Sequence, residues 1–520
     1  MLMKHIVTRV SALVLCSVSW WPVAAVAQQF DGAKQAIRRQ LVENQVPGIA
    51  VSVWRNGKIV WAEGFGWADV ERRVPATEHT MFHLASVTKP LTSLGVMTLV
   101  QAGKVDLDQP ANRYLGRDAL TTWIGDPQAV TVRRLANHTS GLPGFTNTFY
   151  GDDDLPRRLS LSETIRRYGI VVAPAGERYQ YSNIGYGVLS HLLAQVSGKS
   201  YADFMRQEVF LPLGMTHSSI NIAPGLEGQH AIRYDFERKP IPFYTSVTQG
   251  SGSAYSSAHD LARLGMFLLK NRLADQQRVL NDASIEQMLH DPLAAITPTS
   301  DGSKRTYAVG WISSNDGGYD VVGHEGSTSG TQANFTLVPA ENLGVAVLAN
   351  TDGGAGGADL AAIRAAVLKS LLPKWSKPSA ASSRPAPTPA FDASSPLIGE
   401  WRGQIHTYQG EQSITLSIRS PGDVRLRIGG EPRFPGRSTV LQETLLTNVA
   451  LKDGFLTGDS LAQLETSDTQ RRPHVTSLDV KLRGDVLSGQ VMAQSVFDGF
   501  WHYGLPYWTQ LRRVGGLVAN

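Results

Sequence analysis

Three short stretches carry side chains that could do chemistry together. In Phe82-His-Leu-Ala-Ser86-Val-Thr-Lys89-Pro90, a serine and a lysine lie three residues apart at the start of a helical pattern (Leu91, Leu94, Met97, Leu99) that runs out near Gly103. At that spacing both side chains project from one helix face. Proline is tolerated only in a helix's first turn, so Pro90 fixes Ser86 at the very beginning. The Ser86 amide then lacks a partner inside the helix, and the positive end of the helix dipole favours an anion beside it. A lysine held next to a serine hydroxyl, in a place that disfavours its charge, can take the hydroxyl proton as general base. Ser-x-x-Lys alone is weak, since roughly one is expected by chance in such a chain, and a helix-capping serine with a surface lysine is the plain alternative. No other lysine in the chain, however, has a serine three residues before it.

The second stretch is Tyr179-Gln-Tyr181-Ser-Asn183-Ile-Gly-Tyr186, with the one Tyr-x-Asn of the chain, in a polar loop ahead of a helical pattern (Val188, Leu189, Leu192, Leu193). A tyrosine hydroxyl can relay a proton between the lysine and a leaving group, and an asparagine can orient the lysine and a substrate amide. The alternative is a packed loop tyrosine with Asn183 capping the next helix. The third is Gly323-His324-Glu325-Gly326-Ser327, expected just ahead of a strand. A polar residue, one spacer and a glycine on an edge strand would put a polar group in a cleft while letting a substrate backbone come close. The N–H of Ser327 would then be a second oxyanion donor beside that of Ser86. Lys452-Asp-Gly454 and His502-Tyr-Gly504 fit this pattern equally well; both belong to a later, all-β region and are expected to lie far from the other motifs.

The elements that must position these residues are partly readable. Ile49–Trp54 and Lys58–Ala62 flank Asn56-Gly57, the favoured residues of a tight hairpin turn. Ala33 to Glu43 has helical spacing, stopped by Pro47-Gly48. Asn334–Val338 and Gly344–Leu348, joined by Pro339-Ala-Glu-Asn, read as another antiparallel pair, and a helix is expected over Ala358 to Leu372. The expected fold is mixed α/β: a sheet drawing strands from both ends of this region, flanked by helices, with a mostly helical insert from about residue 105 to 300.

Taken jointly and in order, Ser86-x-x-Lys89, Tyr181-x-Asn183 and His324-x-Gly326 resemble the serine β-lactamase and penicillin-binding-protein superfamily, in particular its class C β-lactamase, D-alanyl-D-alanine carboxypeptidase, D-aminopeptidase and esterase branch. Leu135-Ala-Asn-His138-Thr-Ser-Gly141-Leu142, Pro174-Ala-Gly176 and Tyr255-Ser-Ser-Ala-His-Asp260 are similar to the family as well. The likeness covers about residues 30 to 372. It implies a β-lactamase-like fold and an acyl-enzyme mechanism with Ser86 as nucleophile, Lys89 as base and Tyr181 passing protons. Asn183, His324 and Gly326 would bind or orient substrate, and the amides of Ser86 and Ser327 would hold the oxyanion. No cofactor and no metal are implied. Where β-lactamases carry Lys-Thr-Gly this chain has His324-Glu325-Gly326. A largely neutral histidine offers no fixed cation for a substrate carboxylate, which puts efficient β-lactam hydrolysis in doubt.

Composition and the ends bound the rest. The 520 residues hold one cysteine, Cys16, which excludes a disulfide scaffold, a thiolate metal site and cysteine catalysis. The formal charge of +4 falls to +2 without the first 27 residues, which hold Lys4, Arg9 and no acid; so small a surplus excludes a nucleic-acid binder driven by bulk charge. Residues 1–27 read as a signal peptide: a basic start, an apolar run from Val10 to Ala24 broken by Ser11, Ser17, Ser19 and Pro22, and Ala25-Val26-Ala27 before Gln28. A periplasmic or secreted product with no lasting membrane anchor is expected. Residues 28–372 would form the hydrolase domain and 373–396, rich in Pro, Ala and Ser, a linker. Residues 397–520 would form an all-β domain: Ile414, Leu416, Ile418 and Val424, Leu426, Ile428 alternate between turn signals, and Gly399-Glu-Trp401 resembles the start of lipocalin-like barrels. Its aromatic residues Phe497, Phe500, Trp501, Tyr503, Tyr507 and Trp508 are expected to be core. His138, His217 and His259 read as surface or satisfied core groups. Ser197-Gly-Lys-Ser lacks the upstream glycine of a phosphate loop.

The expected function is an exported serine hydrolase that cleaves ester or amide bonds through an acyl-serine intermediate, acting on small D-amino-acid peptides or esters. The alternatives are a β-lactamase or carboxylesterase of the same fold and, from another class, a penicilloyl-accepting sensor or non-catalytic peptide-binding protein. The partner would be a small-molecule or peptide substrate; the sequence is silent on oligomeric state.

Overall fold

The computed structural model describes residues 29–297, 299, 304–353, 357–376, 391, 394–429 and 443–514. The signal-peptide segment and nearly all of the Pro/Ala/Ser-rich stretch lie outside the described residues.

Helix α1 (Asp31–Val42) precedes the hairpin of β1 (Gly48–Arg55) and β2 (Lys58–Asp69). Asn56 and Gly57 both have positive φ, at 50° and 73°, the geometry a two-residue turn needs to match the twist of its strands. After the buried helix α2 (Thr88–Gln101) come the short strand β3 (Thr146–Tyr150), helix α3 (Asn183–Ser197) and helix α4 (Ala258–Leu268). Strands β4 (Arg305–Tyr307), β5 (Ile312–Asp316), β6 (Tyr319–Thr328), β7 (Thr331–Val338) and β8 (Leu343–Ala349) follow, then helix α5 (Leu360–Leu371). Among the described residues β4-β5-β6-β7-β8-β1-β2 is the centre of a nine-stranded sheet. Antiparallel pairing of β1 with β8, Ile49 opposite Ala349 to Arg55 opposite Leu343, joins the two ends of this region. Both faces of the sheet are apolar. Val51, Val53, Val345 and Val347 pack with Ile37, Ile363 and Val367 of α1 and α5, while Ala50, Trp54, Phe335 and Leu348 pack with the helical side, including Leu91 and Leu261.

The C-terminal strands, from Gly399–Thr407 to the last, β9 (Tyr503–Arg513), form one antiparallel sheet whose outermost strands, Thr444–Leu445 and Thr447–Lys452, are consecutive in sequence. The sheet therefore curls into a nearly closed barrel. Its alternating residues meet as the period-two pattern requires: Ile414 faces Ile428, Leu416 faces Leu426 and Ile418 faces Val424, all buried.

The barrel is docked on the first region by contacts that no periodicity announces. Tyr168, fully buried, inserts between Tyr408 and Tyr507 (5.9 Å to each ring) and donates its hydroxyl to Asp468 at 2.6 Å. Arg167 lies over the Tyr408 ring and pairs with Asp468, and Arg178 pairs with Asp479. Strand β3 adds to the edge of β9, with Asn147 opposite Tyr503 and Thr146 opposite Gly504. The aromatic residues expected to be core divide accordingly. Tyr503, Tyr507 and Trp508 are buried, whereas Phe497 and Trp501 are exposed, because the loop that carries them leaves the barrel and turns toward the first region.

Candidate active site

From Thr80 to Met97 every residue is buried except Ser86. A short 3-10 turn, Ala85–Val87, brings the chain into α2 with Pro90 as its third residue. Ala85 holds φ at +45°, a conformation unfavourable for a residue with a β-carbon. The bend lifts the Ser86 side chain out of an otherwise closed core.

One helical turn on, Lys89 is fully buried, and its Nζ lies 3.1 Å from Ser86 Oγ, 2.9 Å from Asn183 Oδ1 and 2.9 Å from the carbonyl oxygen of Ser251. Burial drives its pKa well below the ordinary lysine value. The rings of Tyr181 and Tyr186, 4.6 and 5.6 Å away, favour the charged form, but no described carboxylate pairs with it, and desolvation prevails. In its deprotonated form the amine has two hydrogens and one lone pair. Asn183 Oδ1 and the Ser251 carbonyl are acceptors and take both hydrogens, so the lone pair is left for the Ser86 hydroxyl to donate to. Asn183 is itself oriented, its Nδ2 donating to the Phe145 carbonyl at 3.1 Å. It is the first residue of α3, and the capping role falls to Ser182, whose Oγ accepts from the amide of Gly185.

Tyr181 stands against the same lysine. Burial raises its pKa, and the nearby Ser86 hydroxyl lowers it in part. The loop bearing Tyr181 is fixed by His138, expected to be a surface or satisfied core group. His138 is instead buried with its ring 4.3 Å from that of Tyr181; its Nδ1 accepts from the amide of Ser182 at 3.0 Å, and its Nε2 has no partner among the described residues. Burial and the nearby Lys89 hold its pKa well down, so the imidazole is neutral. The segment Leu135–Leu142 did carry the signal, but its histidine reads as inert without the fold.

His324, Glu325 and Gly326 lie within β6, not ahead of a strand. Pairing with β5 stops at Gly323, whereas pairing with β7 continues to Thr328, so the second half of β6 behaves as an open edge facing the start of α2. A methyl group on Gly326 would collide with the carbonyl of Leu84 and sit 3.0 Å from the Ser86 amide nitrogen. Only glycine lets the strand approach this closely. His324 is buried and its pKa is lowered to about 3 by burial and by Lys89. Its Nδ1 lies 2.6 Å from the carbonyl of Glu325, to which it must donate, so Nε2, 2.8 Å from the Tyr307 hydroxyl, accepts. Nothing in the sequence marked Tyr307. Arg305 of β4 lines the same cleft as Ser86, Tyr181, His324 and Glu325.

His502-Tyr503-Gly504, expected to lie far from the other motifs, does not. The His502 carbonyl accepts from the Thr148 amide at 2.7 Å, and Trp501 lines a cavity that reaches Ser86. Sequence separation is no guide to distance once β3 joins β9.

The model of the Beta-lactamase family matches residues 33–369. This chain belongs to that family. Among solved structures, the family fold appears in the octameric penicillin-binding protein homologue from Pyrococcus abyssi, 24% identical, TM-score 0.55, covering 91% of this chain and 99% of that one. A class C β-lactamase is 20% identical, TM-score 0.55, with coverage of 68% and 98%. Curated family relatives include Protein flp of Staphylococcus aureus (strain N315), 26% identical over 334 residues, 62% of this chain and 63% of that protein. Unguisins hydrolase ungD′ of Aspergillus campestris is 28% identical over 333 residues, 61% of each. The match thus spans about three-fifths of these relatives. The fold is that of the β-lactamase and penicillin-binding-protein-like serine hydrolases.

Proposed function

We propose that this family member is an exported serine hydrolase that cleaves esters or amides of small D-amino-acid peptides through an acyl-Ser86 intermediate. The observation that carries the reading is the fully enclosed Lys89, its Nζ 3.1 Å from Ser86 Oγ and its pKa lowered by burial. Lys89 takes the Ser86 proton as Oγ attacks the scissile carbonyl. The open edge of β6 at Ser327 and the amide of Ser86 stabilise the resulting oxyanion. Tyr181, too basic as a phenolate to lose its proton in the resting state, passes a proton to the leaving group. Arg305 and Glu325, of opposite sign on one wall, suit a leaving group bearing both a carboxylate and an amine. The D configuration and export rest on the motif resemblance and on residues 1–27. The Aspergillus relative is named a hydrolase, which agrees with the reaction class.

The test is turnover of p-nitrophenyl esters and D-alanine p-nitroanilide by the purified protein and by Ser86→Ala, with intact mass recorded. Burst release, an acyl adduct on the wild type and neither on Ser86→Ala are expected. Stoichiometric acylation without turnover would instead make the protein an acyl-accepting sensor.

A further inference from the structure

Two cavities meet at Ser86, and they differ in chemistry. One, about 450 Å³, is lined by Tyr181, Arg305, His324 and Glu325 and holds the charged groups. The other, about 330 Å³, has no acid, lysine or arginine in its described lining. Its lining is rich in hydroxyl-bearing residues, among them Thr146, Thr148, Tyr244 and Ser253, and includes Trp501 from the barrel. Tyr181 lines the first cavity and not the second. If Tyr181 protonates the leaving group, the leaving group occupies the charged cavity and the acyl group the neutral one.

The Trp501 loop is built in a way that solvent alone does not explain. Trp501 and Phe497 are 58% and 51% exposed with their rings 5.2 Å apart, a pair of large apolar groups left in water beside a cavity. Yet the loop is anchored on both sides of Trp501. The Tyr150 hydroxyl donates to the Trp501 carbonyl at 3.0 Å, Phe500 packs on Tyr150 at 5.2 Å, and His502 lies 3.0 Å from Asp498 through its Nε2. A main chain held on both sides of a largely exposed indole is already ordered, which lowers the entropy cost of binding against it.

We propose that Trp501 determines acyl specificity, selecting an uncharged acyl group with a flat ring that stacks on the indole while the hydroxyl-bearing lining meets its polar atoms. The inference rests on the hydrolase reading. Its test compares kcat/KM for p-nitrophenyl acetate, phenylacetate and hemisuccinate, each corrected for spontaneous hydrolysis, in the wild type, Trp501→Ala and Trp501→Phe. The wild type should prefer phenylacetate to acetate and discriminate against the anionic hemisuccinate. Trp501→Ala should lose about tenfold on phenylacetate, mainly in KM, with acetate changed less than twofold, and Trp501→Phe should recover most of the loss. An unchanged phenylacetate-to-acetate ratio in Trp501→Ala, or an equal fall on both esters, overturns the assignment. If no ester turns over faster than with Ser86→Ala, the hydrolase reading itself fails.

Discussion

The hydroxyl of Tyr307 donates to Nε2 of His324 at 2.8 Å, and this contact settles the character of position 324. With Nδ1 committed to the Glu325 carbonyl, the imidazole has no proton to offer the cleft and no reason to gain one, since its pKa is lowered to about 3. In this chain the residue is a neutral wall, and the cleft's positive charge comes from Arg305, one strand beyond β5.

Removing the Tyr307 hydroxyl should therefore act through a buried acceptor left without its donor. Tyr307→Phe is expected to lower stability by about 1–3 kcal/mol, read from urea unfolding. Because Phe preserves the ring against His138 and His324, the loss should exceed what so small a change of shape would cause. A midpoint equal to wild type would show that the hydrogen bond contributes nothing.

Lys89 is a stability liability whose size depends on pH. Its folded pKa lies well below 10.5 while the unfolded chain keeps the ordinary value. Between those two values the unfolded state binds the extra proton, so stability rises with pH across that window. Lys89→Met should be more stable than wild type at pH 7, with the gap closing as pH approaches about 10.5, and it should lose turnover by several orders of magnitude. Thermal midpoints of the two proteins from pH 7 to 10.5 measure this; a constant or widening gap would contradict a depressed pKa.

The approach of β6 to the start of α2 depends on the missing side chain of Gly326. Gly326→Ala should push the strand off Leu84 and Ser86 and spoil the oxyanion site, which in comparable cases is worth about 10²–10³ in kcat. Circular dichroism should be unchanged while kcat/KM for p-nitrophenyl acetate falls by about that factor. Retention of full activity would mean that the edge of β6 does not contact the reacting carbonyl.

Much of this was legible in the chain because it is local. The Asn56-Gly57 turn, the helix with Pro90 in its first turn and the alternation of Ile414, Leu416 and Ile418 follow from backbone preferences and short-range periodicity. The three motifs could be named because each is a few residues long. The difference between Lys-Thr-Gly and His324-Glu325-Gly326 is likewise readable in the sequence, as is the expectation of a neutral group at position 324.

What the tertiary structure alone decided are the contacts between elements far apart in sequence. The lowered pKa of Lys89 comes from the core closing round it, and two acceptors, Asn183 Oδ1 and the Ser251 carbonyl, fix its amine. The roles open to His138, Tyr307 and Arg305 depend on which strand and loop happen to face them. Trp501 shares a cavity with Ser86 because β3 extends the barrel's sheet, and main-chain hydrogen bonding between strand edges leaves no trace in side-chain pattern. Electrostatics and shape in the cleft are sums over neighbours in space, and only the folded chain determines who those neighbours are.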